Sequence, residues 1–134
     1  MKLCYLIDLV ALKRSKNKVS NFNYIRYKFG PFDGSIYSYL ESLAESGVVS
    51  QEQGFANETA NDFIVYVPGP SANDQFPFLE VADIEAANVV LNEVSGYGAK
   101  ALTDIAYKTK PMLALGATRG GEEGLFEKLN LLAK

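Results

Sequence analysis

The chain has 134 residues, 48% of them hydrophobic and 22% charged, with a formal net charge of −3. That suits a single domain with an ordinary apolar core. It contains no histidine and one cysteine, Cys4, which excludes Ser-His and Cys-His nucleophiles, imidazole metal sites and an internal disulfide.

No apolar run approaches the roughly 18 residues needed to span a bilayer, and no secretory leader is visible. The expectation is a reducing, cytoplasmic location, with no membrane association, metal or cofactor.

In chain order, an amphipathic helix is predicted over residues 2–15, where Leu3, Leu6, Ile7 and Val10 follow helical spacing and Cys4 and Ala11 widen the stripe. Asp8 interrupts this stripe. An inward-facing acid must be paired, so a structural hydrogen bond or ion pair with Tyr24, Arg26 or Tyr27 is expected. Lys13, Arg14 and Lys16 then fall where the helix dipole favours cations. Seven cations precede Gly30 against Asp8 alone, so the first 28 residues carry +6 and the remainder −9. Such polarity suits steering of a partner or head-to-tail self-association.

Residues 15–23 read as a loop. Over residues 24–29 the side chains alternate, predicting one half-buried strand with Ile25, Tyr27 and Phe29 inward and Tyr24, Arg26 and Lys28 outward. Gly30-Pro31 is expected to end it, because Pro31 offers no backbone donor. A helix follows with Ile36, Tyr39, Leu40 and Leu43 on one stripe, capped by Asp33 or Ser35 and stopped by Gly47.

Strands are predicted over residues 48–53 and 63–67, separated by a polar loop over 54–62. Helix, strand, loop, strand is the order of a winged helix. Residues 68–77 read as an exposed connector. The last third is helical by pattern: Ile84, Ala87, Leu91 and Val94 after an Asp83 cap, then Leu102, Ile105 and Ala106 after Gly98, then Leu125, Phe126, Leu129 and Leu132. The fold class expected is therefore α+β: one mainly helical domain over residues 1–134 with a small antiparallel sheet and a winged-helix-like hairpin. Its helix-strand-helix-hairpin part covers 1–67 and its helical part 78–134.

Six aromatics fall between Tyr24 and Tyr39. Aromatics supply large, stiff contact area, so this density favours a binding module over an enzyme. No acid/base pair stands out among the carboxylates, and residues 96–100 read as a turn between helices rather than a phosphate cradle. A helix meant for the major groove needs basic or amide groups, yet the one following Ser35 carries Glu41 and Glu45 and no Lys or Arg. Nucleic acid is therefore disfavoured as a partner; a winged-helix DNA-binding transcription regulator stands as the alternative.

Several segments together resemble a known family. Lys2-Leu3-Cys4-Tyr5-Leu6-Ile7-Asp8 is similar to its KLLYLAD-type opening helix. Tyr27-Lys28-Phe29-Gly30-Pro31-Phe32 resembles its aromatic-x-x-GP-aromatic turn, with Ile36-Tyr37, Leu40, Leu43, Gly47 and Val48 after it. The stretch from Gly98 to Ala106 resembles a later helix of the family. The family is the SocA-like antitoxins, or Panacea domain, found in bacteria and their phages. Where its members usually carry Thr-His and then Pro-Trp, this chain has Ala106-Tyr107 and Pro111-Met112.

The resemblance implies an antitoxin without enzymatic activity, which binds and neutralises a cognate toxin protein, in some members by presenting it to a Clp-type protease. The expected contact surface is Arg26, Lys28, Pro31, Phe32 and Tyr37. Ile25, Tyr27, Phe29, Leu40 and Leu43 are expected in the core, with Asp8 and Gly30 structural and Gly30-Pro31 setting the angle from strand to helix.

Overall fold

Backbone hydrogen bonding in the computed structural model, which describes residues 1–55, 62–73 and 76–134, defines nine elements among them. They are α1 (Lys2–Ser15), β1 (Ile25–Tyr27), β2 (Gly30–Phe32), α2 (Ile36–Glu45), β3 (Val49–Phe55), β4 (Asp62–Pro68), α3 (Val81–Glu93), α4 (Ala99–Tyr107) and α5 (Lys110–Ala114). The fold is mainly helical α+β, with two separate antiparallel pairs, β1-β2 and β3-β4. Two compact units result: Met1–Asp33 with Phe78–Lys134, and Gly34–Pro77.

In the first unit α1 packs on α3 and α4. Its buried residues are Tyr5, Leu6, Asp8 and Ala11, so the expected stripe is displaced and Asp8 lies at its centre. Small buried residues, Ala86 on α3 and Ala106 on α4, allow the helices to approach closely. α3 starts earlier than an Asp83 cap would place it. Glu80 occupies the N-cap and exchanges hydrogen bonds with Asp83 in a capping box, the Glu80 amide donating to Asp83 Oδ2 at 2.9 Å.

The Asp8 carboxylate is wholly buried and accepts four hydrogen bonds. Oδ1 takes the amides of Val19 and Ser20, both at 2.9 Å, and Oδ2 takes the hydroxyls of Ser20 and, at 2.7 Å, Tyr24. This ties the loop after α1 back onto the helix. Neither Arg26 nor Tyr27 contributes. The Tyr24 ring meets Tyr5 edge-to-face at 5.3 Å. Tyr5 donates to Thr109 Oγ1 at 2.7 Å, since the threonine spends its own proton on the Ala106 carbonyl. Burial pushes the Tyr5 phenol up to about 12 and raises that of Tyr24 as well.

Residues 24–29 do not form one strand. The chain turns at Lys28 and Phe29 and returns through β2, pairing Tyr27 with Gly30, Arg26 with Pro31 and Ile25 with Phe32. Gly30-Pro31 thus belongs to the return strand. The proline is tolerated because the Arg26 N–H and C=O both point the other way, to Glu127 at 2.8 Å and Phe126 at 2.7 Å. Opposite Arg26, no donor is required.

Those same bonds explain why no helix forms from Leu125 onward. The amides of Phe126 and Leu129 go to the carbonyls of Arg26 and Tyr24, and Ile25 bridges to Lys128. The C-terminal segment becomes a neighbour of β1 instead.

In the second unit α2 ends in a Schellman motif: Val48 donates to Leu43 at 3.0 Å and Gly47, at φ +77°, donates to Ala44 at 3.1 Å. Ile36, Leu40 and Ala44 are half-buried and no α2 residue is buried. Leu43 is exposed, contrary to its expected core role. β3 pairs with β4 from Val49↔Pro68 to Phe55↔Asp62, further into the expected loop than its polar composition suggests. Positions 56–61 of that loop and 74–75 of the connector lie outside the described residues.

Two expectations follow from this geometry. Both phenols are neutral below the ordinary tyrosine value near 10, so their contribution is complete there and is lost as the pH rises above it, through about 12 for Tyr5. The unfolded chain gives up these protons first. Urea unfolding across that interval should show stability falling, by about 2–3 kcal/mol for Tyr5 alone. Tyr5→Phe should flatten the fall; an unchanged slope would contradict the role given to burial. Gly30 sits at φ +118°, and a Cβ there would meet only Lys2 Cε at 3.8 Å. The cost of a side chain is therefore backbone strain, about 1–3 kcal/mol for Gly30→Ala and Gly30→Val alike. A neutral Gly30→Ala in thermal melts would contradict this.

Candidate functional site

β1 presents two faces, and their burial is the reverse of what the polarity of the side chains suggests. Tyr24 and Arg26 face inward, at 1% and 0% exposure, while Phe29 at the turn is 76% exposed. The inward residues pair nearly all of their polar groups. Arg26 Nη2 donates to the carbonyls of Thr118 (2.9 Å) and Gly121 (2.8 Å), Nη1 donates to Tyr27, and the guanidinium lies 5.4 Å from the Tyr107 ring. Among the described residues no carboxylate pairs with it, and Nε has no partner. The cation is held by carbonyl dipoles and a ring.

The outward face is aromatic. Tyr27 stacks on Phe32 at 5.1 Å and meets Phe126 at 5.7 Å. Phe29 and Phe126 carry the exposed area, Phe126 at 58%. Phe126 holds φ +67°, a conformation a bulky side chain adopts only when its surroundings impose it. Here its amide is tied to the Arg26 carbonyl. Lys28 is exposed beside these rings, and its carbonyl is 3.4 Å from the Tyr107 hydroxyl.

The residues expected at a contact surface therefore separate. Lys28 and Phe32 lie on the hairpin, the first exposed and the second half-buried, whereas Arg26 and Pro31 are buried. Arg26 is inside because its donors find three carbonyls there, and Pro31 because it lies opposite Arg26. Tyr37 is 66% exposed on α2, in the other unit. Phe29 and Phe126 are additional surface residues. Phe29 was expected in the core; the sign of its position was Gly30, three residues after Tyr27, as the return point of a tight turn. Phe126 carried no comparable signal.

Reactive chemistry is sparse. Burial pushes the Cys4 thiol up, away from its nucleophilic form, and burial, with Arg119 adding to it, lowers Lys2. No cluster of three or more metal-ligating side chains occurs among the described residues. No helix is long and apolar enough to cross a membrane, again among those residues.

Arg26→Lys should destabilise the protein by about 2–4 kcal/mol, because one ammonium cannot reach the same carbonyls and leaves some of them unpaired. Lys28→Ala should stay within about 0.5 kcal/mol of the parent. Equal melting temperatures for the two variants would contradict the structural role of Arg26.

No curated protein and no solved structure matches the chain. A family model described as "Antitoxin SocA-like, Panacea domain" matches residues 1–111, a span that takes in α1, the β1-β2 hairpin, α4 and the buried Tyr107 and Pro111. Its last few positions include Ala106 and Tyr107, where the resemblance implies Thr-His, while Met112 lies one residue beyond it. With four-fifths of the sequence matched, the chain belongs to the SocA-like antitoxin family and carries its Panacea domain.

Proposed function

We propose that this antitoxin is non-enzymatic and binds and neutralises a cognate toxin protein through the aromatic face of the β1-β2 hairpin. Phe29, Phe126, Tyr27 and Phe32 supply the contact area, with Lys28 beside them. Delivery of the bound toxin to a Clp-type protease is the route of disposal we propose. The observation that carries the reading is the outward turn of Phe29 and Phe126. Exposed rings held by a rigid backbone cost little entropy to immobilise, which is the chemistry of an interface anchor. Family membership supports the toxin as partner. Duplex DNA has less support, because α2 carries Glu41 and Glu45 and no cation.

The test is co-expression of the adjacent open reading frame with the chain, scoring growth and co-purification. Growth should be restored by the parent. A variant combining Phe29→Ser with Phe126→Gly should lose both readouts while melting within about 1 kcal/mol of the parent, since glycine also relieves the strain at position 126. Retained co-purification would move the interface elsewhere. Rescue in a host lacking Clp protease would remove the delivery step and leave direct neutralisation.

A further inference from the structure

A second surface in the first unit combines an aliphatic floor with a rim of lysines. The C-terminal half of α1, the 108–111 junction between α4 and α5, and the chain's last residues enclose a depression of about 520 Å³. Its floor is Leu9, Leu12, Pro111 and Leu131, and its rim carries Lys13, Lys16, Lys108 and Lys110. A neighbouring depression of about 430 Å³ shares Leu12, Leu131 and Leu132 with it and adds Lys18 and Lys128. No Asp or Glu lines either one, in a chain whose acids outnumber its Lys and Arg by 16 to 13.

Helix chemistry accounts for Lys13 and Lys16 at the end of α1. It accounts for Lys108 as well, at the C-cap of α4, but not for Lys110 at the start of α5 or for Lys128, which come from two other places in the sequence and converge on the same surface. The four rim lysines are exposed, and none forms an ion pair within the described residues. Leu132, between the two depressions, is 69% exposed.

We infer that this groove docks an acidic amphipathic segment of a partner protein, with aliphatic side chains on the leucine floor and carboxylates at the lysine rim. Charge complementarity selects the acids, and the floor selects what accompanies them. A nucleic acid satisfies only the rim. The rings near the groove, Phe22 and Tyr24, are buried at 8% and 1% exposure and offer no base a stacking platform. The groove uses none of the hairpin's exposed rings, so this inference goes beyond the toxin-binding reading and does not rest on it.

The test uses the full chain and a fluorescent peptide with Leu at i, i+3, i+4 and i+7 and Glu between them, read by anisotropy at low ionic strength. Binding is expected to weaken about tenfold at high salt. It should weaken at least about tenfold in Lys108→Glu/Lys110→Glu and in Leu132→Asp, and be retained in Lys108→Arg/Lys110→Arg. All these positions are exposed, and thermal melts establish that each variant is folded. Equal binding of a peptide with Lys in place of Glu would overturn the inference. So would absence of binding, indifference to the groove variants, or stronger capture of duplex DNA, anionic vesicles or a second copy of the chain.

Discussion

A buried guanidinium with no carboxylate partner among the described residues is the constraint around which the first unit is arranged. Arg26 has five donors and almost no water to give them to, so carbonyls must come to it. Those of Thr118 and Gly121 do so from the C-terminal third of the chain, and Tyr107 closes the remaining side with its ring. Once Arg26 points inward, strand alternation sends Tyr27 outward, and the turn leaves Phe29 in solvent. The exposed aromatic face is the geometric consequence of the buried cation.

Asp8 performs the complementary task at the other end of β1. Its four hydrogen bonds hold the loop after α1 and, through the Tyr24 hydroxyl, the entry to the hairpin. Between these two anchors the backbone of residues 24–26 has carbonyl and amide groups left over, and residues 126–129 satisfy them. A helix there would have needed those same amides internally. The pairing with β1 thus accounts for both the irregular C-terminus and the unusual backbone at Phe126.

These anchors also bear on the family relationship. Tyr107, where the resemblance implies a histidine, is buried against Arg26, and Pro111 and Met112 are buried in α5. Their environment is structural, and it belongs to the same unit as α1 and the hairpin. The second unit is built differently: none of its described residues is buried, and its helix meets β3 along a half-buried stripe.

Much of this was legible in the amino-acid order. The helix over residues 2–15, the stop at Gly47, the two strands on either side of residues 56–61 and the helix after Gly98 all rest on local rules: periodicity, glycine at a C-terminus and turn composition. The family-specific segments are similarly local. The phase of residues 24–27 was also readable, since alternation places Ile25 with Tyr27 and Tyr24 with Arg26. Which of those faces is inside was not. Polarity argued for the rings, but a buried tyrosine and arginine are tolerated when distant partners satisfy them, and those partners, Asp8, Thr118 and Gly121, are separated from them by up to 95 positions. Sequence alone determined the family, the helices over residues 2–15 and after Gly98, and the strands of the second unit. Only tertiary structure decided which side of the hairpin meets water, because hydrogen-bond satisfaction of a buried polar group depends on groups that the chain brings together solely by folding.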